Sequence, residues 1–206
     1  MRVSLCRFLW ALCLLAGLAA APLAAGTSTS LKVQVVDERG MPVRDAVVEL
    51  VPAGGWTGPV HLPWRPAMAQ KNETFVPGTL IVAKGSTVAF PNLDRVRHSI
   101  YSFSRPARFE IDLYGRDQTR SHRFTQAGSV KLGCNIHDDM RGYIRVTETP
   151  FAGKTDTNGY VTLSGMPTGQ ARVTVWHPQL RAPGNETRSA VAVKSAGRHK
   201  VAVRLR

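Results

Sequence analysis

Apolar and polar positions alternate in short runs along most of this 206-residue chain. Residues 31–36 and 46–51 read as two strands joined through the turn Asp37-Glu38-Arg39-Gly40. Residues 52–66, rich in Gly, Pro and Trp, read as a linker. Strand candidates then follow at 80–83, 87–90, 99–103, 109–113, 120–124, 129–132 and 143–146. Gly78, Gly85, Pro91, Pro106, Gly115 and Gly128 punctuate them. Beyond Pro150 the run 155–159 is a turn, 160–163 a strand and 167–169 another turn. Residues 171–176 and 200–205 read as further strands. No segment of ten or more residues keeps a 3.6-residue apolar period, so the pattern predicts an all-β protein. The density of short strands between residues 80 and 146 is that of a Greek-key sandwich.

The amino terminus departs from that texture. Arg2 and Arg7 precede an apolar run over 8–21, and the small residues Ala24, Ala25 and Gly26 follow. This predicts a signal peptide over 1–25 and an exported, periplasmic or otherwise extracytoplasmic mature chain. The apolar run is shorter than the roughly 20 residues a membrane span needs. No second run of that length follows, so no integral membrane segment is expected after cleavage.

Export changes the meaning of the cysteines. Cys6 and Cys13 fall in the leader, which leaves Cys134 alone in an oxidising compartment where pairs are usual. A metal ion on its thiolate would protect it. The net charge is +13, and +11 once Arg2 and Arg7 leave with the leader. That balance fits an acidic redox partner or an anionic surface, or simply a solvated exterior. Nucleic acid is a poor candidate, since no recognition motif is present.

The segment Gly133-Cys134-Asn135-Ile136-His137-Asp138-Asp139-Met140-Arg141-Gly142-Tyr143 carries the chemistry. It offers a thiolate, an imidazole and a thioether within seven residues. Soft sulfur donors with imidazole select copper, and two His with one Cys and a weak axial Met form the blue-copper set. His98, 36 residues upstream at the head of a strand candidate, supplies the second imidazole. The metal ligands expected are therefore His98, Cys134, His137 and Met140, around one Cu(I)/Cu(II) ion. His61, His122, His177 and His199 read as surface or packing residues.

These residues resemble the cupredoxins, and amicyanin and plastocyanin among them. Cys134, His137, Met140, Arg141 and Gly142 match the amicyanin ligand loop position by position, and Asn92 matches at six residues before His98. The resemblance covers about residues 67–147 and implies an eight-stranded Greek-key sandwich with copper near one end. It implies a tie between the ligand strand and the Cys loop, for which this chain offers Ser99 where the family commonly has Asn. The backbone N–H groups near Asn135 and Asn92 are candidates for hydrogen bonds to the sulfur. Asp138 and Asp139 stand where amicyanin has Pro and an apolar residue.

Residues 33–51 and 155–176 resemble the two halves of a carboxypeptidase regulatory-like β-sandwich. The fold expected is thus a cupredoxin sandwich over 67–150, inserted in or flanked by a second small Ig-like sandwich made of 27–51 plus 151–206. Two sequential domains, or a cupredoxin with long tails, are the rival arrangements. The whole is similar to exported cupredoxin-domain proteins labelled as methylamine-utilisation proteins.

The function expected is single-electron transfer between redox proteins, such as a cytochrome or a dehydrogenase. An enzyme of the multicopper oxidase or nitrite reductase type needs paired histidines, and no His-x-His or His-Cys-His occurs. Copper delivery or storage with the same ligands is the alternative, and an adhesion role for the outer sandwich is another. Arg95 and Arg97, which flank His98, and Asp138 and Asp139, which follow His137, are the candidate docking charges. The Asn-Glu-Thr sequons at Asn72 and Asn185 read as chance matches.

Overall fold

The computed structural model describes residues 29–206. The leader expected over 1–25, with Cys6 and Cys13, lies outside the described residues. Among the described residues the protein is all-β. Among these residues no helix is long and apolar enough to cross a membrane.

The two ends of the chain build one pair of sheets. The strands β1 (Ser30–Val36) and β2 (Val47–Pro52) open the chain, and β3 (Ala69–Lys71) through β11 intervene before the others. The later strands are β12 (Ala152–Lys154), β13 (Tyr160–Ser164), β14 (Gly169–Trp176), β15 (Glu186–Val193) and β16 (Ala196–Ala202). One sheet runs β13-β1-β16 and the facing one β12-β2-β14-β15. Period-2 alternation drives this: Leu31, Val33 and Val35 of β1 bury one face against Val48 and Leu50 of β2 and Val173 and Val175 of β14. Gly159 closes the turn before β13 at φ +74°, where a Cβ would lie 2.4 Å from the Val35 carbonyl oxygen.

The middle of the chain builds a second core. Its strands are β3, β4 (Thr74–Val76), β5 (Thr79–Ala83), β6 (Thr87–Pro91), β7 (His98–Ser104), β8 (Ala107–Tyr114), β9 (Thr119–Arg123), β10 (Gly128–Cys134) and β11 (His137–Thr147). A five-stranded sheet runs β5-β11-β10-β7-β8, while β6 pairs with β9 and β3 with β4. Phe90, Ile100, Tyr114, Phe124, Leu132 and Ile144 fill the space between.

A third, smaller cluster joins the two cores. Val47, Ile81, Ala152 and Trp176 pack together with Leu62 and Tyr143, and the Tyr143 and Trp176 rings meet at 5.5 Å. Strand β2 serves both sides because successive side chains alternate. Val48 and Leu50 enter the first core, whereas Glu49 turns the other way and binds the Arg145 guanidinium at 2.5 and 2.9 Å. Arg145 also donates to Glu186 and to Ser129, both at 2.8 Å.

Several elements differ from the sequence reading. The last strand is residues 196–202 rather than 200–205. It sits at a sheet edge, where Arg198, His199 and Lys200 interrupt the apolar signal while pairing in parallel with β1. Strand β11 begins at His137, six residues before the expected start. Strands β3, β4, β12 and β15 carried no alternating signal that marked them.

Candidate metal centre

Two local devices bring the chemistry-bearing residues together. The first is the β10–β11 hairpin. Cys134 lies opposite His137 and Gly133 opposite Arg141, with a bulge between Gly133 and Cys134. The segment read as a loop is paired at Gly133, Cys134, His137 and 141–143, Asn135 and Ile136 form its turn, and residues 138–140 are the extra residues of the bulge, without a partner on β10. Bulges redirect side chains, which suits a strand end that must present a thiolate. Gly133 is required here: a Cβ would lie 2.5 Å from the Tyr101 ring. Gly142 is in the same position against Phe75, at 2.8 Å.

The second device is the turn before β7. Asn92 is fully buried, and its Nδ2 donates to the carbonyls of Val96 at 2.9 Å and Tyr114 at 3.0 Å. Its Oδ1 accepts the Asp94 N–H at 2.9 Å, an Asx turn that bends the chain into His98. A second irregularity, between His98 and Ile100, sets off the head of β7.

The result is a compact donor set. Cys134 Sγ lies 3.8 Å from His98 Nδ1 and 3.8 Å from His137 Nδ1. The three donor atoms fall within 4.8 Å of one another. A first-row metal ion held at about 2.0 Å by nitrogen and about 2.3 Å by sulfur in a trigonal plane would place the sulfur about 3.7 Å from each nitrogen. The residues fit such an ion. His98 is wholly buried, Cys134 and Met140 nearly so, and Met140 belongs to the same buried cluster as Cys134. His137 is the more open imidazole, with 23% of its side chain exposed.

The neighbours of these donors correct part of the sequence reading. The N–H groups proposed for the sulfur are engaged elsewhere: that of Asn135 donates to Ser99 Oγ at 3.0 Å, and that of Asn92 to the Gln118 carbonyl at 2.9 Å. A turn N–H takes the nearest well-aligned oxygen in preference to a weak sulfur acceptor. Ser99 does provide the tie between ligand strand and Cys hairpin, with its Oγ 3.9 Å from Cys134 Sγ.

Two carboxylates near the donors were not read from the sequence. Asp94 Oδ2 lies 2.8 Å from His98 Nε2, and the same carboxylate accepts the N–H groups of Asn72 at 2.5 Å and Glu73 at 2.9 Å. Burial pushes the Asp94 carboxyl up, but the bonds from Glu73, His98 and Asn72 outweigh it and hold it below its usual range. Glu73 Oε2 lies 3.9 Å from His137 Nε2. A carboxylate four residues before His98 was the available signal, but only the fold brings residues 72 and 73 alongside.

The candidate docking charges are all exposed. Arg97 donates to the Leu113 carbonyl at 3.1 Å, while Arg95, Asp138 and Asp139 stand in solvent. Leu93, Val96 and Ile136 are also exposed, on the turns that lead to His98 and His137. His122 stacks on Phe109 at 3.8 Å.

No protein-family model matches the chain, and no curated protein matches it. Among solved structures it is similar to a purple cupredoxin from Nitrosopumilus maritimus, at 22% identity over 39% of this chain and 98% of that one, with a TM-score of 0.36. It is also similar to a reduced mutant of amicyanin, at 20% identity over 50% of this chain and 99% of that one, with a TM-score of 0.37. An oxidised mutant of amicyanin shares 19% identity over the same portions, again at 0.37.

Proposed function

We propose that this chain is an exported type 1 copper protein that carries single electrons between redox partners. The observation that carries the reading is the placement of Cys134 Sγ at 3.8 Å from the Nδ1 atoms of both His98 and His137, on two irregular strand ends. Two neutral imidazoles and a thiolate suit both Cu(I) and Cu(II), and copper bound there would supply one-electron redox chemistry. Met140, buried in the same cluster as Cys134, is the candidate axial thioether.

The protein's part is to hold these donors still. His98 is fixed by burial and by Asp94, and Cys134 by the hairpin and by the Ser99 tie. Donors that cannot relax cost little reorganisation as the charge alternates. His137, the exposed imidazole, is the path for electrons in and out. A partner meets it among Ile136, Asp138 and Asp139, with Arg95 and Arg97 on the His98 turn as further docking charges. We read residues 27–51 and 151–206 as one regulatory-like sandwich interrupted by the copper-binding unit over 67–150.

The test is the visible spectrum of copper-loaded protein beside that of Cys134→Ser. An intense thiolate-to-copper band present in the first and lost in the second supports the reading. A colourless Cu(II) complex of the unmutated protein overturns it.

A further inference from the structure

The hairpin of β3 and β4 is too short to hold its own turn. Each strand has three residues, and Asn72 and Glu73 between them take φ of 53° and 56°, left-handed values that Glu in particular adopts at a cost. What holds the turn is a side chain 21 and 22 residues away. Asp94 accepts both turn N–H groups, and its Oδ2 also faces the Nε2 of the buried His98. The turn in turn carries Glu73, whose carboxylate reaches to 3.9 Å from His137 Nε2.

We infer that Asp94 is a positioning residue for the metal centre, setting His98 directly and Glu73 beside His137 through the turn. This rests on the copper reading above. The chemistry follows from donor roles. A carboxylate within hydrogen-bond distance of Nε2 keeps the proton on that nitrogen, so that Nδ1 offers its lone pair toward Cys134 Sγ. No other bond to His98 Nε2 competes among the described residues. Each imidazole thereby has a carboxylate behind it, one buried and one exposed. Negative charge behind both rings favours Cu(II) over Cu(I), so the pair lowers the reduction potential.

Two measurements on Asp94→Asn test this. The amide removes the charge, and its one oxygen cannot stand in for both carboxylate oxygens: either the Asn72 N–H, or the Glu73 N–H and the His98 ring together, then faces an NH2 group. Loss of such a partner typically weakens metal binding by roughly 10–100-fold. A tenfold loss confined to Cu(II) raises the one-electron potential by about 59 mV. We expect a rise of at least that size, and exchange of the Asn72 and Glu73 amides faster by roughly tenfold or more. An unchanged potential with unchanged protection of both amides overturns the inference.

A third measurement needs no metal and no variant. Nitrogen-15 NMR of the copper-free protein should find His98 with its proton on Nε2. A proton on Nδ1 overturns the positioning role even if Asp94→Asn does not fold. If the unmutated protein gives no blue site, the copper reading fails, while the tautomer still decides this inference separately.

Discussion

The main-chain N–H of Asn135 donates to Ser99 Oγ at 3.0 Å, across the gap between the two elements that carry the imidazole and thiolate donors. Ser99 is buried and sits next to His98, and Asn135 sits next to Cys134. The hydroxyl thus adds a side-chain tie, at the donor end, to the β7–β10 pairing that sets the spacing of the two segments. Ser99→Ala leaves a turn N–H without its partner and should cost about 1 kcal/mol of stability. Urea denaturation of the copper-free protein checks the cost, and Ser99→Thr, which keeps the hydroxyl, should recover most of it. A copper-loaded Ser99→Ala protein should show a broadened visible band, because the Cys134–His98 spacing is held less tightly.

A second expectation concerns Gln70 on β3. It is fully buried, yet among the described residues neither its Oε1 nor its Nε2 has a hydrogen-bond partner. Its backbone remains useful, since its carbonyl accepts the Leu93 N–H at 2.9 Å. A buried amide without partners costs roughly 1–3 kcal/mol by mutational measures. Gln70→Met, of similar volume and with no polar demand, should therefore raise the urea midpoint at unchanged slope. A fall in the midpoint would mean that the amide has a partner to lose.

The residues of the candidate metal centre were the most legible part of the chain, for a physical reason. Cys134, His137 and Met140 lie within seven residues on one hairpin, so their spacing survives in the linear order. His98 could be named because a thiolate with one imidazole is incomplete for copper. Strands such as β1 and β14 were legible because one face meets a core and the other meets water. Strand β15 was not, because its polar first half follows a 3-10 turn at Pro183–Asn185 and gives no alternation until Ala190. Asp94 and Glu73 escaped notice because their roles depend on a hairpin whose strands are three residues long. The Glu49–Arg145 pair joins residues 96 positions apart, a relation no local pattern carries.

That pair supplies a third expectation. Arg145 is 7% exposed and Glu49 6% exposed, and Arg145 follows the ligand hairpin on β11 while Glu49 lies on β2. Glu49→Leu leaves a buried guanidinium short of one partner, which should cost about 3 kcal/mol because an uncompensated buried charge is expensive. The remaining bonds to Glu186 and Ser129 keep the loss from being larger. The double variant Glu49→Leu/Arg145→Met should recover much of it. Denaturant midpoints of the three proteins decide the matter, and equal stabilities of the single and double variants would refute it.

The last expectation is a pH dependence set away from the metal centre. Burial alone pulls the His122 imidazole below its ordinary value of 6.5, where it stacks on Phe109 at 3.8 Å. His177 is pulled down as well, by burial, against a smaller opposing pull from the Asp45 carboxylate. A depressed histidine keeps the folded protein from taking up a proton that the unfolded chain accepts as pH falls through 6.5. The stability is therefore full above that value and lost progressively as pH drops toward the lower value of the fold. His122→Phe keeps an aromatic ring on Phe109 and removes the titration, so its stability should decline less steeply than that of the unmutated protein between about pH 7 and about pH 5. His177→Gln should flatten the profile further, and the two effects should add, because neither ring contacts the other's partners. Parallel profiles for the unmutated protein and His122→Phe, followed by thermal denaturation of the copper-free forms, would show that the imidazole on Phe109 is free to charge in the folded state.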